Sequence, residues 1–288
     1  PLTFWFCKKA GLYFPIVALQ YSPISLTISF NKIDSCAYVE KLPQYDNDGN
    51  YLNLTQLALS DIWDNKGYFL TAKILTDYIY LDTNERKRFA QSAHEYLIET
   101  TQRMMLNDIY DKYPVKLLDF GGSIKEIIWY AQKTAYIQGS ESQKKLLFNY
   151  TTTAEYVGNP FYSARLSLNG KNLFDSAITT FFTCLNPYSR HNRTPIDGIN
   201  IYSFCLWPEE HQPSGTCNMS IIPNCVMSFI MNPNMFQFNL SDINPDIKKN
   251  SEEDLVKNTN INLVIIAKKI DILRIIGGMG GFAFKYMS

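Results

Sequence analysis

The stretch NIYSFCLWPEEHQPSGTCNMS, residues 200–220, contains an apolar segment, a proline, two acids and a turn. Residues 199–206 predict a strand. Pro208 ends that strand, because proline has no backbone N–H to donate to a central ladder. Pro213 and Gly215 then occupy the second and fourth positions of QPSG, which are favoured in a type I turn. We therefore expect two strands joined by a loop.

The same stretch also contains reactive residue types, so a metal or acid/base site is the alternative. Structural zinc ligands come in close pairs, whereas Cys205, His211, Cys217 and Cys225 are separated by five, five and seven residues. TCNMSII predicts a returning strand, with both Cys205 and Cys217 inside strands as small core side chains. The acids and the histidine are better interpreted as hydrogen-bonding groups that fix the turn. The residues of this predicted structural turn are Pro208, Glu209, Glu210, His211, Gln212, Pro213, Ser214 and Gly215.

Short alternating segments dominate the rest of the chain. ISLTISF at 24–30 and YSARLSL at 162–168 alternate with the period of two that is typical of half-buried strands. Asn169-Gly170 follows the second segment and predicts a tight hairpin. Further strands are expected at 74–81, 124–132 and 261–276. The pattern indicates an all-β protein with long loops.

Helices are predicted to be few and short. DTNERKRFAQ at 82–91 has Asp82 and Glu85 at the spacing of a capping box, and predicts one exposed helix of two or three turns. NLTQLALSDIW and GKNLFDSAITTFF are candidates for two more. The polar segment 242–260 is expected to be an exposed loop.

Composition excludes several classes of function. The 288 residues include 27 basic and 27 acidic side chains, so the basic excess of a dedicated nucleic-acid binder is missing. Six scattered cysteines without a CxxC pair indicate free thiols in a reducing compartment. No apolar run approaches the ~20 residues that span a bilayer.

Other motifs fit structural interpretations better than catalytic ones. DFGG at 119–122 lacks the companion motifs of a kinase and predicts a turn before a strand. DNDGN at 46–50 departs from the calcium-loop template and predicts a surface turn. GGMGG at 277–281 leaves too little chain for a phosphate-binding helix, and predicts a bend or a close backbone approach. No HxH pair or nucleophile elbow occurs, so we expect no enzyme activity, no metal and no cofactor.

Residues 200–220 resemble a conserved segment of the major capsid proteins of nucleocytoplasmic large DNA viruses. Further segments resemble that family in the same order and cover the chain from end to end. These segments are PLTFWFCKKAGLYFPIVALQY, DYIYLDTNERKRFAQSAHEYLIE, VKLLDFGGSIKEIIWYAQ, ARLSLNGKNLF and DILRIIGGMGGFAF. Gly121-Gly122 departs from the Asn/His-Pro pair that the family usually has before its linker-proximal strand.

The resemblance implies a double jelly roll, with two eight-stranded β-sandwiches in the family. Here it implies the C-terminal part of the first jelly roll at 1–81, a short helical linker at 82–91 and a complete second jelly roll at 92–288. Because half a sandwich leaves a sheet edge uncovered, we expect the chain to be the C-terminal portion of a longer polypeptide.

The implied function is that of a structural major capsid protein. Three copies would form a pseudo-hexagonal capsomer of an icosahedral shell, in a virion assembled in the host cytoplasm. The implied partners are further copies of itself, minor capsid and penton proteins, and proteins of an inner viral membrane, with no direct contact to nucleic acid. The alternatives are a minor capsid or membrane-scaffold protein of the same fold, and a jelly-roll metalloenzyme, which the missing ligands disfavour.

Five N-x-S/T sequons are candidate glycosylation sites, although an asparagine-rich chain contains several by chance. They begin at Asn53, Asn149, Asn192, Asn218 and Asn239.

Overall fold

A computed structural model describes residues 2–30, 71–138, 146–153, 156–239 and 260–283, and the backbone of three short strands at 44–45, 51–52 and 255–257. The chain divides into two compact units. The first unit contains Pro1–Tyr96 and Ile272–Ala283, and the second contains Leu97–Asp271 and Phe284–Ser288. The predictions at DNDGN and NLTQLALSDIW concern residues outside the described part, except for the backbone of Tyr51–Leu52 beside them.

The first unit begins with three short 3-10 helices, at Trp5–Cys7, Ala10–Leu12 and Ile16–Ala18. It also contains the two-residue antiparallel strands β1 (Gln44–Tyr45) and β2 (Tyr51–Leu52). Aromatic rings near its start pack in pairs with centroids 5.1–5.6 Å apart. Such pairs stabilise beyond the area that they bury.

Helix α1 (Thr83–Gln91) confirms the predicted exposed helix. Its N-cap is Asp82, whose side chain accepts a hydrogen bond of 2.7 Å from the backbone N–H of Glu85. This bond satisfies one of the backbone donors that the first turn of a helix leaves unpaired. No residue of α1 is buried.

The strands predicted at 24–30 and 74–81 are wrong. Both segments lie outside the hydrogen-bonded strands, and their apolar side chains other than Leu81 are exposed, from Ile28 at 40% to Leu75 at 97%. Alternation predicts a strand only where a neighbour pairs with its backbone, and no strand among the described residues pairs with either segment.

The second unit contains most of the sheet structure. Its strands are β3 (His94–Ile109), β4 (Val115–Leu117), β5 (Ser123–Lys133), β6 (Phe161–Leu168), β7 (Lys171–Ile178), β8 (Asn200–Ser203), β9 (Cys217–Asn218), β10 (Cys225–Met231), β11 (Gln237–Asn239), β12 (Leu255–Lys257) and β13 (Ile261–Ile276). Two of them, β3 and β13, extend into the first unit. Its helices are α2 (Thr134–Gln138), a π-helix (Phe181–Leu185), α3 (Asn186–Arg190) and 3-10 helices at Met219–Ile221 and Pro233–Phe236. The strands expected at 124–132, 162–168 and 261–276 are therefore confirmed as β5, β6 and β13.

Two sheets enclose the core of this unit. One has the strand order β4-β10-β6-β7, and in the other β13, β5 and β8 are successive neighbours, with β3 on β13 and β9 on β5. Alternate residues of β5, β13, β6 and β10 form a single hydrophobic cluster. Trp129 at its centre is fully buried, with its ring 4.9 Å from that of Phe182. The all-β prediction with few short helices is thus confirmed as a two-sheet sandwich.

Turn chemistry explains where the hairpins fall. Asn169 and Gly170 have φ values of 50° and 78° and join β6 to β7, which confirms the predicted hairpin. This hairpin overturns the helix predicted in GKNLFDSAITTFF, because Lys171–Ile178 pairs with β6 as a strand, and helical backbone begins only at residue 179.

Two glycine motifs also behave as predicted. DFGG at 119–122 lies immediately before β5 without regular structure. The first two glycines of GGMGG form the turn between β13 and β14 (Met279–Phe282), and the rest of the motif lies in β14. There a Cβ on Gly278 would lie 2.7 Å from the ring of Tyr21, so the close approach is real.

Candidate functional site: the loop between β8 and β9

The β8–β9 loop, residues 204–216, contains the turn singled out in the sequence. Its backbone hydrogen bond runs from the N–H of Glu210 to the carbonyl of Trp207, 3.3 Å away, so the hydrogen-bonded turn is centred on Pro208-Glu209 and not on Pro213-Ser214 as predicted. The Ser214 hydroxyl accepts a 2.7 Å hydrogen bond from the Trp207 N–H. This bond connects the part of the loop that leaves β8 to the part that leads to β9. Pro208, in the centre of this hydrogen-bonded turn, is buried, which supports the position of the turn.

The glycine of the motif is required by backbone geometry. Gly215 has a φ of 144°, and a Cβ there would lie 3.2 Å from the carbonyl oxygen of Phe204. Gln212 is exposed, whereas His211, Pro213 and Ser214 are half-buried. Any larger residue at position 215 therefore strains the loop where its two arms approach each other.

The two cysteines flanking the loop differ from expectation. Cys205 is fully buried as predicted but lies after β8 has ended. Cys217 is half-buried in β9, a strand of two residues that passes into the 3-10 helix Met219–Ile221, so the predicted longer returning strand is wrong. At the start of this 3-10 helix, the side chain of Asn218 accepts a hydrogen bond from the Ser220 N–H.

Both acids of the loop contact neighbouring segments. The Glu209 carboxylate accepts hydrogen bonds from the backbone N–H and the side-chain amide of Asn192. The backbone carbonyl of Glu210 accepts a 2.6 Å bond from Nζ of Lys125 on β5. These contacts attach the loop to the sheet beneath it and to the segment that follows α3.

Below the loop lies a group of buried charges that sequence reasoning missed. Lys125 is fully buried, and its Nζ lies 2.5 Å from the Glu99 carboxylate on β3. The Glu126 carboxylate, 3% exposed, accepts bonds of 2.8 Å from Nε2 of His191 and 3.0 Å from Nζ of Lys268. The sequence did contain a sign of this group, since Lys125-Glu126 lies inside the apolar strand IKEIIWY. Lysine and glutamate are rarely buried unless each charge is paired.

A β-bulge in β5 explains why two consecutive charged side chains both lie outside the hydrophobic cluster. Lys268 of β13 pairs with Glu126 of β5, while Lys269 pairs with Ile124, so Lys125 is the extra residue. Ile124 and Ile127 consequently both belong to the hydrophobic cluster although they are three residues apart. The two charged side chains between them make their ionic contacts outside that cluster, as bulges permit.

The electrostatic balance favours an ionised Glu126. Burial by itself raises the pKa of this carboxyl, but the hydrogen bond from His191 and the positive charge of Lys268 outweigh burial and hold the pKa below its ordinary value. For Lys268, burial lowers the pKa, but the charge of Glu126, the hydrogen bond to it and the charge of Glu99 together raise the pKa above its ordinary value. The group is therefore a paired structural network at neutral pH.

A small pocket of about 160 Å³ opens between the loop, the end of α3 and the residues that follow α3. We call it the loop pocket. Its lining residues are Tyr188, Ser189, Arg190, His191, Asn192, Trp207, Glu209 and Glu210.

Two properties of the described residues bear on metal binding and nucleophilic chemistry. Within the described part of the chain, no group of three or more His, Cys, Asp and Glu side chains is placed to hold a metal ion. Burial raises the pKa of Cys217, and it raises that of Cys225 to about 12, which keeps both thiols protonated. A protonated thiol is a poor nucleophile.

The sequons occupy very different environments. Asn149 is fully buried, with its side-chain amide donating to the Thr153 carbonyl and its oxygen accepting from both the N–H and hydroxyl of Thr151. Asn192 is exposed but bound to the loop, and Asn218 is half-buried. Asn239 lies in β11, and Asn53 lies outside the described residues.

Comparison with known proteins identifies the class. Residues 85–281 match the family model described as the large eukaryotic DNA virus major capsid protein, and residues 1–82 match that of the major capsid protein N-terminus. The major capsid protein of Pyramimonas orientalis virus is 33% identical over 308 residues, covering 99% of this chain and 60% of the relative. That of Paramecium bursaria Chlorella virus 1 is 30% identical over 309 residues, covering 99% and 65%.

A solved structure agrees with the sequence matches. A quasi-atomic structure of the PBCV-1 virus capsid superposes with a TM-score of 0.62 at 26% identity, covering 99% of this chain and 70% of that chain. The fold is thus that of the double jelly-roll capsid proteins. The chain belongs to the large eukaryotic DNA virus major capsid protein family. It spans 60% to 65% of the length of the first four curated relatives it matches.

None of the helices in the described residues is long and apolar enough to cross a membrane.

Proposed function

We propose that this chain is a structural subunit of the icosahedral shell of a large DNA virus, and that it has no enzymatic role. The observation that carries the proposal is the family match over residues 85–281, which contains the two-sheet sandwich and the β8–β9 loop. In this function the buried sandwich supplies rigidity, and loops at its ends meet neighbouring subunits. The paired charges beneath the loop support a structural role, because every charge in them is matched.

The proposed organisation is the closing part of a first jelly roll at 1–81, a linker at 82–91 and a second jelly roll at 92–288. The exposed helix α1 supports a linker at this position. The two family models adjoin between residues 82 and 85, which also supports it.

Three copies form the proposed capsomer, which contacts neighbouring capsomers, minor capsid and penton proteins, and proteins of an inner viral membrane. Assembly takes place in the host cytoplasm and the product is the virion. The free thiols support a reducing compartment, since Cys7, Cys184, Cys205, Cys217 and Cys225 are all unpaired.

The test is negative-stain microscopy of the purified protein, combined with its copy number in purified particles by mass spectrometry. Trimers of hexagonal outline and a dominant share of particle protein are expected. A monomeric globule contradicts the capsomer, and a few copies per particle favour a minor capsid or scaffold protein instead.

A loop variant tests the part that the β8–β9 turn plays. Gly215→Val is expected to reduce trimer yield, because the side chain meets the Phe204 carbonyl in a backbone conformation that suits glycine. Gly11→Val is the matched control, since a Cβ there has no atom within 4 Å. Equal trimer yields for the two variants contradict the role of the turn in assembly.

A further inference from the structure

The loop pocket combines exposed aromatic side chains with polar groups of both signs. Trp207 and Tyr188 are 56% and 83% exposed. The same walls contain the basic residue Arg190 and the acidic residues Glu209 and Glu210. An ionic ligand of either sign meets a like charge as well as an opposite one. A neutral ligand that both donates and accepts hydrogen bonds meets no such conflict.

One buried nitrogen in the pocket wall lacks a partner. The side chain of His191 is 9% exposed, and its Nε2 is bound to the Glu126 carboxylate. An ionised carboxylate only accepts, so Nε2 of His191 donates to it. Nδ1 is buried and has no hydrogen-bond partner in the described residues. A hydroxyl group both donates and accepts, so it is the ligand group that suits this nitrogen.

The volume limits the ligand to one ring. About 160 Å³ is roughly half of the ~300 Å³ at which pockets for drug-sized molecules begin, so a nucleotide or a folded peptide is too large. An aromatic side chain offers an apolar face for the ligand to pack on. A ring with one apolar face and many hydroxyls satisfies both requirements.

We propose that the loop pocket binds a single sugar ring, with its apolar face on Trp207 and Tyr188 and its hydroxyls on Glu209, Glu210 and Arg190. The sugar belongs either to a cell-surface glycan or to a glycan carried by a neighbouring copy. This site goes beyond the proposed assembly function, which requires no ligand.

The experiment is saturation-transfer NMR on the purified, assembled protein with methyl glycosides of glucose, galactose, mannose and N-acetylglucosamine. At least one glycoside is expected to receive saturation. Trp207→Ala and Glu210→Gln should each weaken its binding by about tenfold, which is the loss of one packing or hydrogen-bonding contact. Glu210→Gln keeps the backbone carbonyl that binds Lys125, so the loop remains attached. The matched control is Leu206→Ala, since Leu206 is 54% exposed and does not line the pocket.

The outcomes separate this proposal from the assembly function. Transfer to no glycoside by a protein that still forms trimers overturns the sugar site and leaves the assembly function intact. An equal loss for Leu206→Ala also overturns it. Particles treated with an endoglycosidase identify the source: binding that emerges only after treatment supports a neighbour's glycan, and binding to untreated particles supports an external sugar.

Discussion

Replacing Glu126 by glutamine removes the central charge of the network below the β8–β9 loop while retaining the shape of the side chain. The carboxylate is 3% exposed and accepts from His191, 9% exposed, and from Lys268, 26% exposed. Breaking a buried ion pair by removing one partner costs about 3–5 kcal/mol. Because Lys268 is partly hydrated, we expect Glu126→Gln to lower the free energy of unfolding at pH 7 by about 2–4 kcal/mol.

The dependence on pH follows from the lowered pKa of Glu126. A carboxyl whose pKa is lower in the folded than in the unfolded state stabilises the fold at pH values above the unfolded pKa. That contribution is lost as the pH falls through the folded value. The destabilisation caused by Glu126→Gln should therefore be fully present above the ordinary glutamate pKa of 4.5 and should shrink as the pH falls below it.

Urea denaturation followed by tryptophan fluorescence measures this effect, since Trp129 is fully buried in the core. With an m-value of about 3 kcal/mol per M, the midpoint should fall by about 1 M. Glu95→Gln is the matched control. Its pair with Arg274 has the same short geometry, 2.7 Å, but is half-exposed and should contribute less than about 1 kcal/mol. Equal midpoint shifts for the two variants at pH 7, or a Glu126→Gln effect that grows in acid, would refute the reasoning.

Three other perturbations probe the remaining structure. Gly198→Ala should destabilise by more than 1 kcal/mol in the same urea assay, because φ is +90° and the added Cβ overlaps a backbone carbonyl, while Gly11→Ala should be near neutral. Iodoacetamide should label exposed Cys184 in the native protein and spare Cys225, whose buried thiol has its pKa raised to about 12; peptide mass mapping that finds equal labelling contradicts this. Asn149→Ala should cost about 2–4 kcal/mol by thermal unfolding, since it removes three hydrogen bonds in a buried site, and glycopeptide analysis should find position 149 unmodified; a glycan there contradicts the buried placement.

Local patterns predicted several elements correctly. Residues 261–276 form one long strand with the expected bounds, and Asn169-Gly170 forms the expected hairpin turn. In both cases the apolar period and the turn chemistry act on the chain directly. The exposed helix α1 was predictable for the same reason, since its cap is three residues from its donor.

Two of the failures are predicted strands that have no partner among the described residues. ISLTISF alternates as well as β6 does and ILTDYIYL is mostly apolar, yet neither is paired there. The helix expected in GKNLFDSAITTFF is a strand instead, because the preceding turn places residues 171–178 beside β6, where they pair with it. Propensity is a weak prior that tertiary pairing overrides.

The sequence by itself determined the all-β class and the family, because strand period, turn residues and a long resemblance are all properties of local order along the chain. Only the tertiary structure decided what surrounds the β8–β9 loop. Glu99, Lys125, Glu126, His191 and Lys268 come from four separate parts of the chain and meet because a bulge in β5 turns two consecutive charges out of the core. Contact between residues so distant in sequence depends on strand order and register, which no local pattern encodes.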